Sequence, residues 1–307
     1  MSEDQLSGKP QATIPIAPGT VVGSYEVGDL LFRGDLATAL MVRHRHFGRE
    51  AILLHVDIGS DTNDFIRRWL GIVASLDHPN IVRLLDCVEW GERLCPILQW
   101  VPGELLFRVT TGRGTQDLVT VLRLFRSLAS ALAYCHERGV AHRSVKSSNI
   151  VVDTNGRPFL TGFITASQLR GDPLDGRRYL LTPPITPPEV WEYKAKCSGQ
   201  WNPAEYDLSL ADVWALGVLL HNLITSKRLF PSVVELKMDP EQRAALVEEF
   251  RQLICDPGPL DLSSLRALVP APVFELARGC LEKDPQRRYR NAGEGIRSAN
   301  PCSLCLL

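Results

Sequence analysis

The chain has 307 residues, of which 45% are hydrophobic and 22% are charged, and its formal net charge is −1. This composition is typical of a soluble globular protein with substantial cores, and the near-zero charge gives no support for nucleic acid as a partner. The polar start argues against a secretory signal, and the most apolar stretch, residues 208–224, contains Asp212, His221 and Asn222 and is too polar to predict a membrane span.

Eight cysteines are scattered at irregular intervals along the chain. Without an export signal, this usage predicts reduced thiols in a cytoplasmic protein. Cys302 and Cys305 form a single C-x-x-C pair, whereas a structural zinc site needs four ligands. We therefore expect residues 299–307 to be an inert C-terminal tail, with lipidation or a redox role as the alternatives.

The amino-terminal third is predicted to be rich in strands. Residues 1–22 contain prolines and little periodicity, and we interpret them as a flexible leader. Residues 26–32, 37–42 and 50–56 are runs typical of strands in a β-meander. The segment 64–76 is predicted to be a helix, because Phe65, Trp69, Ile72, Val73 and Leu76 recur at spacings of three and four.

The remaining two thirds are predicted to be mainly helical. Residues 117–137 form the clearest helix, with one broad apolar face, and Asn155-Gly156 predicts a hairpin turn soon after it. Residues 208–225 are apolar nearly all round, which predicts a buried helix. Further helices are predicted over 239–254 and 273–281.

The loop between the helix at 117–137 and the hairpin is the most informative stretch. Residues 140–153, VAHRSVKSSNIVVD, resemble the catalytic loop of eukaryotic-type protein kinases, whose pattern is H-R-D-L-K-x-x-N. His142, Arg143, Lys146 and Asn149 follow that pattern, while Ser144 stands at the position of the catalytic Asp. Residues 78–86, HPNIVRLLD, and 212–217, DVWALG, match two further segments of the family.

The resemblance extends over residues 24–298 and implies an α+β, bilobal protein-kinase-like fold. It implies a leader at 1–22, a kinase-like domain at 23–298 and a tail at 299–307. Within the domain it implies a β-rich N-lobe with one αC helix at 23–98, a hinge at 99–103 and a helical C-lobe at 104–298.

Several positions that carry chemistry in the family hold other residues here. The glycine-rich nucleotide loop corresponds to Phe32, Gly34 and Ala37, with one glycine of three. The phosphate-binding lysine corresponds to Leu54, or to Leu53 or His55 if the alignment slips by one residue. Further departures are Trp69 for the αC Glu and, in the D-F-G segment, Gly162 for the Asp that holds magnesium.

Other positions keep the residues that support the family's fold. Glu189 and Arg288 match a buried ion pair, and Asp212 matches the residue that anchors the loop at His142 and Arg143. The stack that links the two lobes in the family corresponds to Val73, Leu84, His142 and Phe163. The segment that corresponds to the activation segment of the family contains Tyr179, Thr182 and Thr186. These residues are either phosphorylation sites or unmodified loop residues.

We predict from these departures a catalytically inactive homologue, a pseudokinase that is not an enzyme and that acts as a scaffold or allosteric partner in cytoplasmic signalling. It would have no cofactor and no metal, and its partner would be a protein such as an active kinase or a signalling enzyme. An insertion around residues 194–205 is either a partner surface or a loosely ordered loop. The alternative function is an atypical ATP-dependent Ser/Thr protein kinase, or another phosphotransferase, whose rearranged active site would rely on Lys146, Asn149 and His55; a degenerate copy without a selected role is a third hypothesis.

Overall fold

The structure is a computed structural model that describes residues 16–33, 37–56, 62–111, 116–169, 183–196, 206–230, 240–256 and 258–298. The chain divides into two compact units. The first comprises Met1–Ala74 and Val82–Trp100, and the second comprises Ser75–Ile81 and Val101–Leu307.

The first unit is built on one antiparallel sheet. Its strands are β1 Val21–Val22, β2 Tyr25–Arg33, β3 Ala37–His44, β4 Glu50–Val56, β5 Leu84–Trp90 and β6 Arg93–Gln99, in the order β1-β2-β3-β4-β6-β5. Helix α1, Thr62–Val73, packs near β6 and buries one apolar face, to which Phe65, Ile66, Trp69, Ile72 and Val73 belong. The three predicted strands of the meander are confirmed, with ends within two residues of those expected.

The sheet separates its residues cleanly into two faces. Successive side chains of a strand point to opposite faces, and residues directly opposite in an antiparallel pair share a face. Leu53 of β4 is fully buried on the face that carries the core, together with Leu40, Val42, Ala51, Cys95 and Ile97. Ile52 and Leu54 therefore lie on the other face, where Ile52 is opposite Met41 and Leu98, and Leu54 is opposite Ala39.

Two boundaries in the first unit differ from the prediction. Ile16 and Val22 belong to the buried core and β1 pairs with β2, so residues of the fold lie inside the stretch interpreted as a leader. Strand β1 has only two residues, Val21 and Val22, which is too short a run to give a periodic signal in the sequence. Helix α1 ends at Val73 rather than at residue 76.

Residues 75–81 follow helix α1 in the chain and belong to the second unit, within which they make several hydrogen bonds. The backbone N–H of Asp77 donates to the Tyr134 hydroxyl at 2.9 Å, and Asn80 Nδ2 donates to the Pro158 carbonyl at 2.8 Å. His78 Nε2 lies 3.3 Å from Ser130 Oγ. The segment that matches the family's H-P-N motif thus belongs structurally to the helical unit.

The second unit is mainly helical. Its helices are α2 Leu106–Thr111, α3 Leu118–Glu137, α4 Pro188–Lys196, α5 Ser209–Thr225, α6 Pro240–Cys255, α7 Ser263–Arg266, α8 Ala271–Cys280 and α9 Ala292–Ser298. Its short strands are β7 Gly103–Leu105, β8 Val140–Ala141, β9 Ile150–Asp153, β10 Pro158–Leu160 and β11 Ser167–Gln168. Strands β7, β9 and β10 form one sheet, and β8 pairs with β11. The predicted α+β fold class, with one strand-rich unit and one mainly helical unit, is confirmed.

Two helices organise the second unit. Helix α3 begins after Asp117, whose side chain accepts a hydrogen bond from the Thr120 N–H, as is usual at a helix start. Its length and apolar character would allow it to cross a membrane, but half of its most apolar window is buried inside the protein, as in a core helix. Helix α5 is buried over most of its surface, and Trp214 packs in a core with Phe230, Phe250 and Ile254.

We predict that Leu53→Ala lowers the free energy of unfolding by about 2–5 kcal/mol, because the deletion leaves a cavity in a fully buried position. Leu54→Ala is the matched control, since Leu54 is half-buried on the other face of the same strand, and its effect should be clearly smaller. Urea denaturation of both variants measures the difference. A larger loss for Leu54→Ala would contradict the register of β4.

Candidate functional site

The loop at residues 142–149 is held by a buried carboxylate. Asp212, in the first turn of α5, is fully buried, and its two oxygens accept the backbone N–H groups of His142 and Arg143, each at 2.7 Å. His136 Nε2 lies 3.0 Å from Asp212 Oδ2. A buried carboxylate is stable only when such donors compensate its lost hydration, so the loop and the helix depend on each other.

The backbone of the loop adopts an unusual conformation at Arg143. Its φ is 66°, in the left-handed region that a side chain normally disfavours by about 1–2 kcal/mol. The hydrogen bond from the Arg143 N–H to Asp212 holds this conformation. The adjacent backbone is further held by Thr165, whose hydroxyl donates to the His142 carbonyl at 3.2 Å.

His142 is a structural residue rather than a proton carrier. Its ring is fully buried, Nδ1 accepts the Ser144 N–H at 3.2 Å, and Nε2 lies 2.8 Å from the Thr161 carbonyl. Because Nδ1 accepts and a carbonyl can only accept, the ring is neutral with its proton on Nε2. Burial lowers the pKa of His142, and nearby Asp212 opposes that effect only in part. The ring also packs edge-on against Phe163, with centroids 4.5 Å apart.

Asn149 is bonded to the residue that replaces the catalytic Asp. Its Nδ2 donates to the Ser144 carbonyl at 2.9 Å and to Ser144 Oγ at 3.0 Å. Its backbone is fixed as well, since its N–H donates to the Lys146 carbonyl and its carbonyl accepts the Thr161 N–H. Because Oγ already accepts from Asn149, the hydroxyl proton of Ser144 can be donated to another oxygen.

Gly162 leaves room for this arrangement. Its φ is 77°, and a Cβ added there would lie 2.5 Å from Asn149 Cγ, 2.6 Å from Oδ1 and 2.8 Å from Nδ2. Real Cβ atoms do not approach other atoms so closely, so the Asn149 amide occupies the space in which a side chain at 162 would begin. The sequence indicated the departures at 144 and 162 separately but gave no sign that Asn149 connects them.

The family resemblance implies magnesium at this place, and the residues present do not fit it. Magnesium requires hard oxygen ligands, above all carboxylates. Residue 162 has no side chain, residue 144 has a hydroxyl, and Asn149 offers only its neutral Oδ1, because Nδ2 donates to Ser144. Within the described ranges, no group of three or more His, Cys, Asp or Glu side chains could hold a metal ion.

The first unit carries the other predicted site residues. Leu54 lies on the same apolar sheet face as Ile52 and Leu98, and Trp69 is only 2% exposed within α1. The side chain of His55 lies on the face of β4 opposite to that of Leu54. This argues against a place for His55 in the rearranged active site of the alternative function.

The predicted nucleotide loop is seen only in part. Phe32 is 58% exposed near the end of β2, Ala37 begins β3, and Gly34 lies outside the described residues. Of the predicted stack, Val73 is buried and Leu84 half-buried in the first unit, whereas His142 and Phe163 touch each other in the second.

Arg288 and Glu189 form a two-point ion pair within the second unit. Arg288 Nη1 and Nη2 bond to the two Glu189 oxygens at 2.6 and 3.0 Å. The guanidinium also donates to the carbonyls of Glu282 and Leu210 at 2.9 and 3.1 Å, and Tyr206 donates its hydroxyl to Glu189. Arg288 is 2% exposed, so the pair is a buried structural element with its hydrogen-bonding groups well satisfied.

Some predicted features cannot be placed. Tyr179, Thr182, residues 197–205 of the predicted insertion, and the Cys302–Cys305 pair lie outside the described residues. Thr186 is buried, and its carbonyl accepts the Trp191 indole N–H at 3.2 Å, which argues against its phosphorylation in this conformation.

Comparison with known proteins gives a consistent result. A family model described as "Protein kinase domain" matches residues 25–295. "CBL-interacting protein kinase 25" of Oryza sativa subsp. japonica is 30% identical over 226 residues, which is 70% of this chain and 42% of that protein. "CBL-interacting protein kinase 12" of the same species is 32% identical over 67% of this chain and 37% of its own length.

A third relative comes from another species. "CBL-interacting serine/threonine-protein kinase 19" of Arabidopsis thaliana is 30% identical over 66% of this chain and 41% of its own length. The chain thus spans less than half the length of these three relatives.

These relatives correct one prediction from the sequence. We expected a protein that is not an enzyme, and this prediction is contradicted, because the relatives are named as protein kinases and point to a kinase enzyme. The prediction had treated four changed positions, Leu54, Trp69, Ser144 and Gly162, as sufficient to exclude enzyme activity. The sequence does have these four residues in place of the family's charged ones. That each of them lowers catalytic activity stays a prediction.

We predict that Arg288→Ala lowers the free energy of unfolding by about 3–5 kcal/mol, because it leaves the Glu189 carboxylate without its charged partner. The double variant Glu189→Leu with Arg288→Met should lose less than the sum of the single variants Glu189→Leu and Arg288→Met, since no unpaired charge remains. Denaturant unfolding of these three variants and of Arg288→Ala measures the losses and the coupling.

The exposed pair of Arg278 and Glu275, with about half of each side chain accessible, serves as the control for that series. Arg278→Ala should cost no more than about 1 kcal/mol. Equal losses for Arg278→Ala and Arg288→Ala would contradict the structural role of the buried pair.

Proposed function

The chain belongs to the protein kinase family, and we propose that it is an atypical ATP-dependent Ser/Thr protein kinase, or a related phosphotransferase, with a rearranged active site. The observation that carries the proposal is the loop at residues 142–149. It keeps the family's anchored backbone, with both N–H groups on Asp212, in a chain whose similar relatives are named as kinases.

Phosphoryl transfer can proceed at a reduced rate with the groups that this loop offers. The reaction depends mostly on positioning and electrostatic stabilisation. Without a general base, the proton of the acceptor hydroxyl passes to an oxygen of the transferred phosphoryl group as the diphosphate leaves. Lys146 supplies a positive charge in the loop, and the hydroxyl of Ser144 can donate a hydrogen bond to an acceptor oxygen. A hydroxyl is not a general base at neutral pH, so we expect a rate about 10²–10⁴-fold below that of a site with a carboxylate there.

The first unit supplies a face suited to a flat apolar ring. Ile52, Leu54 and Leu98 lie on one side of the sheet, and Leu98 is 9% exposed while the other two are half-buried. Apolar side chains with few polar groups are the usual lining for an aromatic ligand. This face of the first unit supports recognition of a nucleotide through its base. No lysine occurs between Lys9 and Lys146.

Turnover of labelled ATP by the purified chain tests the proposal. We expect slow transfer of the terminal phosphate to Ser or Thr of a protein substrate. Asn149→Ala should reduce it by at least about tenfold, because the hydrogen bonds that orient Ser144 are lost. Ser144→Asp should increase the rate by up to about 10²-fold, because it supplies the missing base.

Two features of this assay separate true activity from contamination. Asn155→Ala changes another asparagine, in the exposed turn of the β9–β10 hairpin, and should leave the rate unchanged. Activity that is equal in the wild type, Asn149→Ala and Ser144→Asp belongs to a contaminating kinase. That result, or no transfer by the pure protein, would contradict the proposed function.

A protein partner is a second candidate function, and the names of the relatives favour it. Those proteins are named CBL-interacting, and we propose that this chain also binds a protein of that class and does so in the cytoplasm. The names do not say which part of the relatives makes the interaction, and the chain spans less than half of each.

Direct calorimetric titration of a CBL protein into the purified chain tests this proposal. The full-length rice "CBL-interacting protein kinase 25" is the positive control. We expect saturable binding to this chain as well, and a variant lacking residues 197–205 shows whether the predicted insertion contributes. Binding to the relative but not to this chain would reject a CBL protein as the partner.

A further inference from the structure

The three residues Ser144, Asn149 and Gly162 form one interlocked group, which we call the serine lock. Asn149 Nδ2 bonds to Ser144 at two atoms, and the side chain of Asn149 fills the space above Gly162. A divalent metal ion such as magnesium needs several hard oxygen ligands, above all carboxylates. The serine lock offers only the neutral Oδ1 of Asn149 and the Ser144 hydroxyl, because Nδ2 donates to Ser144 and residue 162 has neither a ligand atom nor room for one.

We infer that this site binds its nucleotide without a divalent metal ion, since the serine lock contains no carboxylate to hold one, and that Asn149 acts by holding Ser144 in place. The inference rests on the proposed function, since it concerns how the same site handles the nucleotide. Its substrate class is therefore the metal-free nucleoside triphosphate. Asn149 is a positioning residue in this scheme, because it acts through Ser144.

The geometry explains why a carboxylate at 162 is incompatible with the lock. The first carbon of any side chain there would approach the Asn149 amide to 2.5 Å, and the positive φ of 77° adds backbone strain for any residue other than glycine. Asn149 would have to move, and both bonds to Ser144 would be lost. A carboxylate ligand at residue 162 and the serine lock thus exclude each other in this backbone.

The first test measures binding of a non-hydrolysable ATP analogue to the full chain by calorimetry, once with EDTA and once with magnesium chloride. We expect the two dissociation constants to agree within about fivefold, which is a difference of less than one decade in affinity. Magnesium that tightens binding by more than about fivefold overturns the inference. Absence of binding in both conditions overturns it too.

Binding and turnover distinguish this inference from the proposed function. Metal-free binding without phosphate transfer would reject the proposed function and leave the inference in place. Binding that depends on magnesium, together with phosphate transfer that is lost in Asn149→Ala, would reject the inference and support the proposed function.

The second test examines the lock itself through melting temperatures. Gly162→Ala introduces both backbone strain and the collision with Asn149, whereas Gly156→Ala introduces strain alone, because Gly156 has nearly the same φ of 78° and nothing within 4 Å of an added Cβ. We expect Gly162→Ala to lower the melting temperature by at least about 3 °C more than Gly156→Ala does.

The same two glycine substitutions are then made in the Asn149→Ala variant. That variant lacks all three atoms that an added Cβ at 162 would meet. There, Gly162→Ala should lower the melting temperature by no more than Gly156→Ala does. If Gly162→Ala alone fails to fold, a folded double variant still supports the lock. Equal effects of Gly162→Ala in both backgrounds would show that Asn149 does not occupy this space and would overturn the inference.

Discussion

The carboxylate of Asp212 is the interaction on which the second unit depends. It is buried in α5, where an unpaired charge would be costly, and it is satisfied by two backbone N–H groups of a loop far away in sequence. The same helix is tied to the end of the domain, because the Leu210 carbonyl accepts from Arg288 and Ser209 donates to the Arg290 carbonyl. Helix α5 thus makes hydrogen bonds both to the loop and to Arg288 of the buried Glu189–Arg288 pair.

Much of this organisation could be predicted from the sequence because it rests on repeated or paired signals. Periodicity located the strands β2 to β4 and the helices α3 and α5, and two matching motifs located Asp212 and Arg288. The buried Ile16 could not be predicted, since one apolar residue between prolines carries no period. The role of Asn149 could not be predicted for a different reason. Its hydrogen bond to Ser144 requires that residue 162 has no Cβ, and these three positions come together only in the three-dimensional structure.

The incorrect prediction about enzyme activity has a related origin. It took the combined changes at Leu54, Trp69, Ser144 and Gly162 as sufficient to exclude activity. In the second unit the changes are connected, because Asn149 bonds to Ser144 and fills the space over Gly162. Named relatives then point to a kinase, while the geometry describes how this site differs from a metal-assisted one.

The substitutions also follow a common electrostatic rule in both units. Where the family has opposite charges in pairs, this chain has Leu54 and Trp69, and where it has carboxylates beside a metal, it has a hydroxyl and a glycine. Removing one member of a buried charge pair is costly, whereas removing both can be neutral or stabilising. If only one of the family's charged residues were introduced, such as a carboxylate at 162 or a lysine at 54, its charge would have no partner. For that reason a site with the family's full set of charged residues would require several simultaneous changes in this chain.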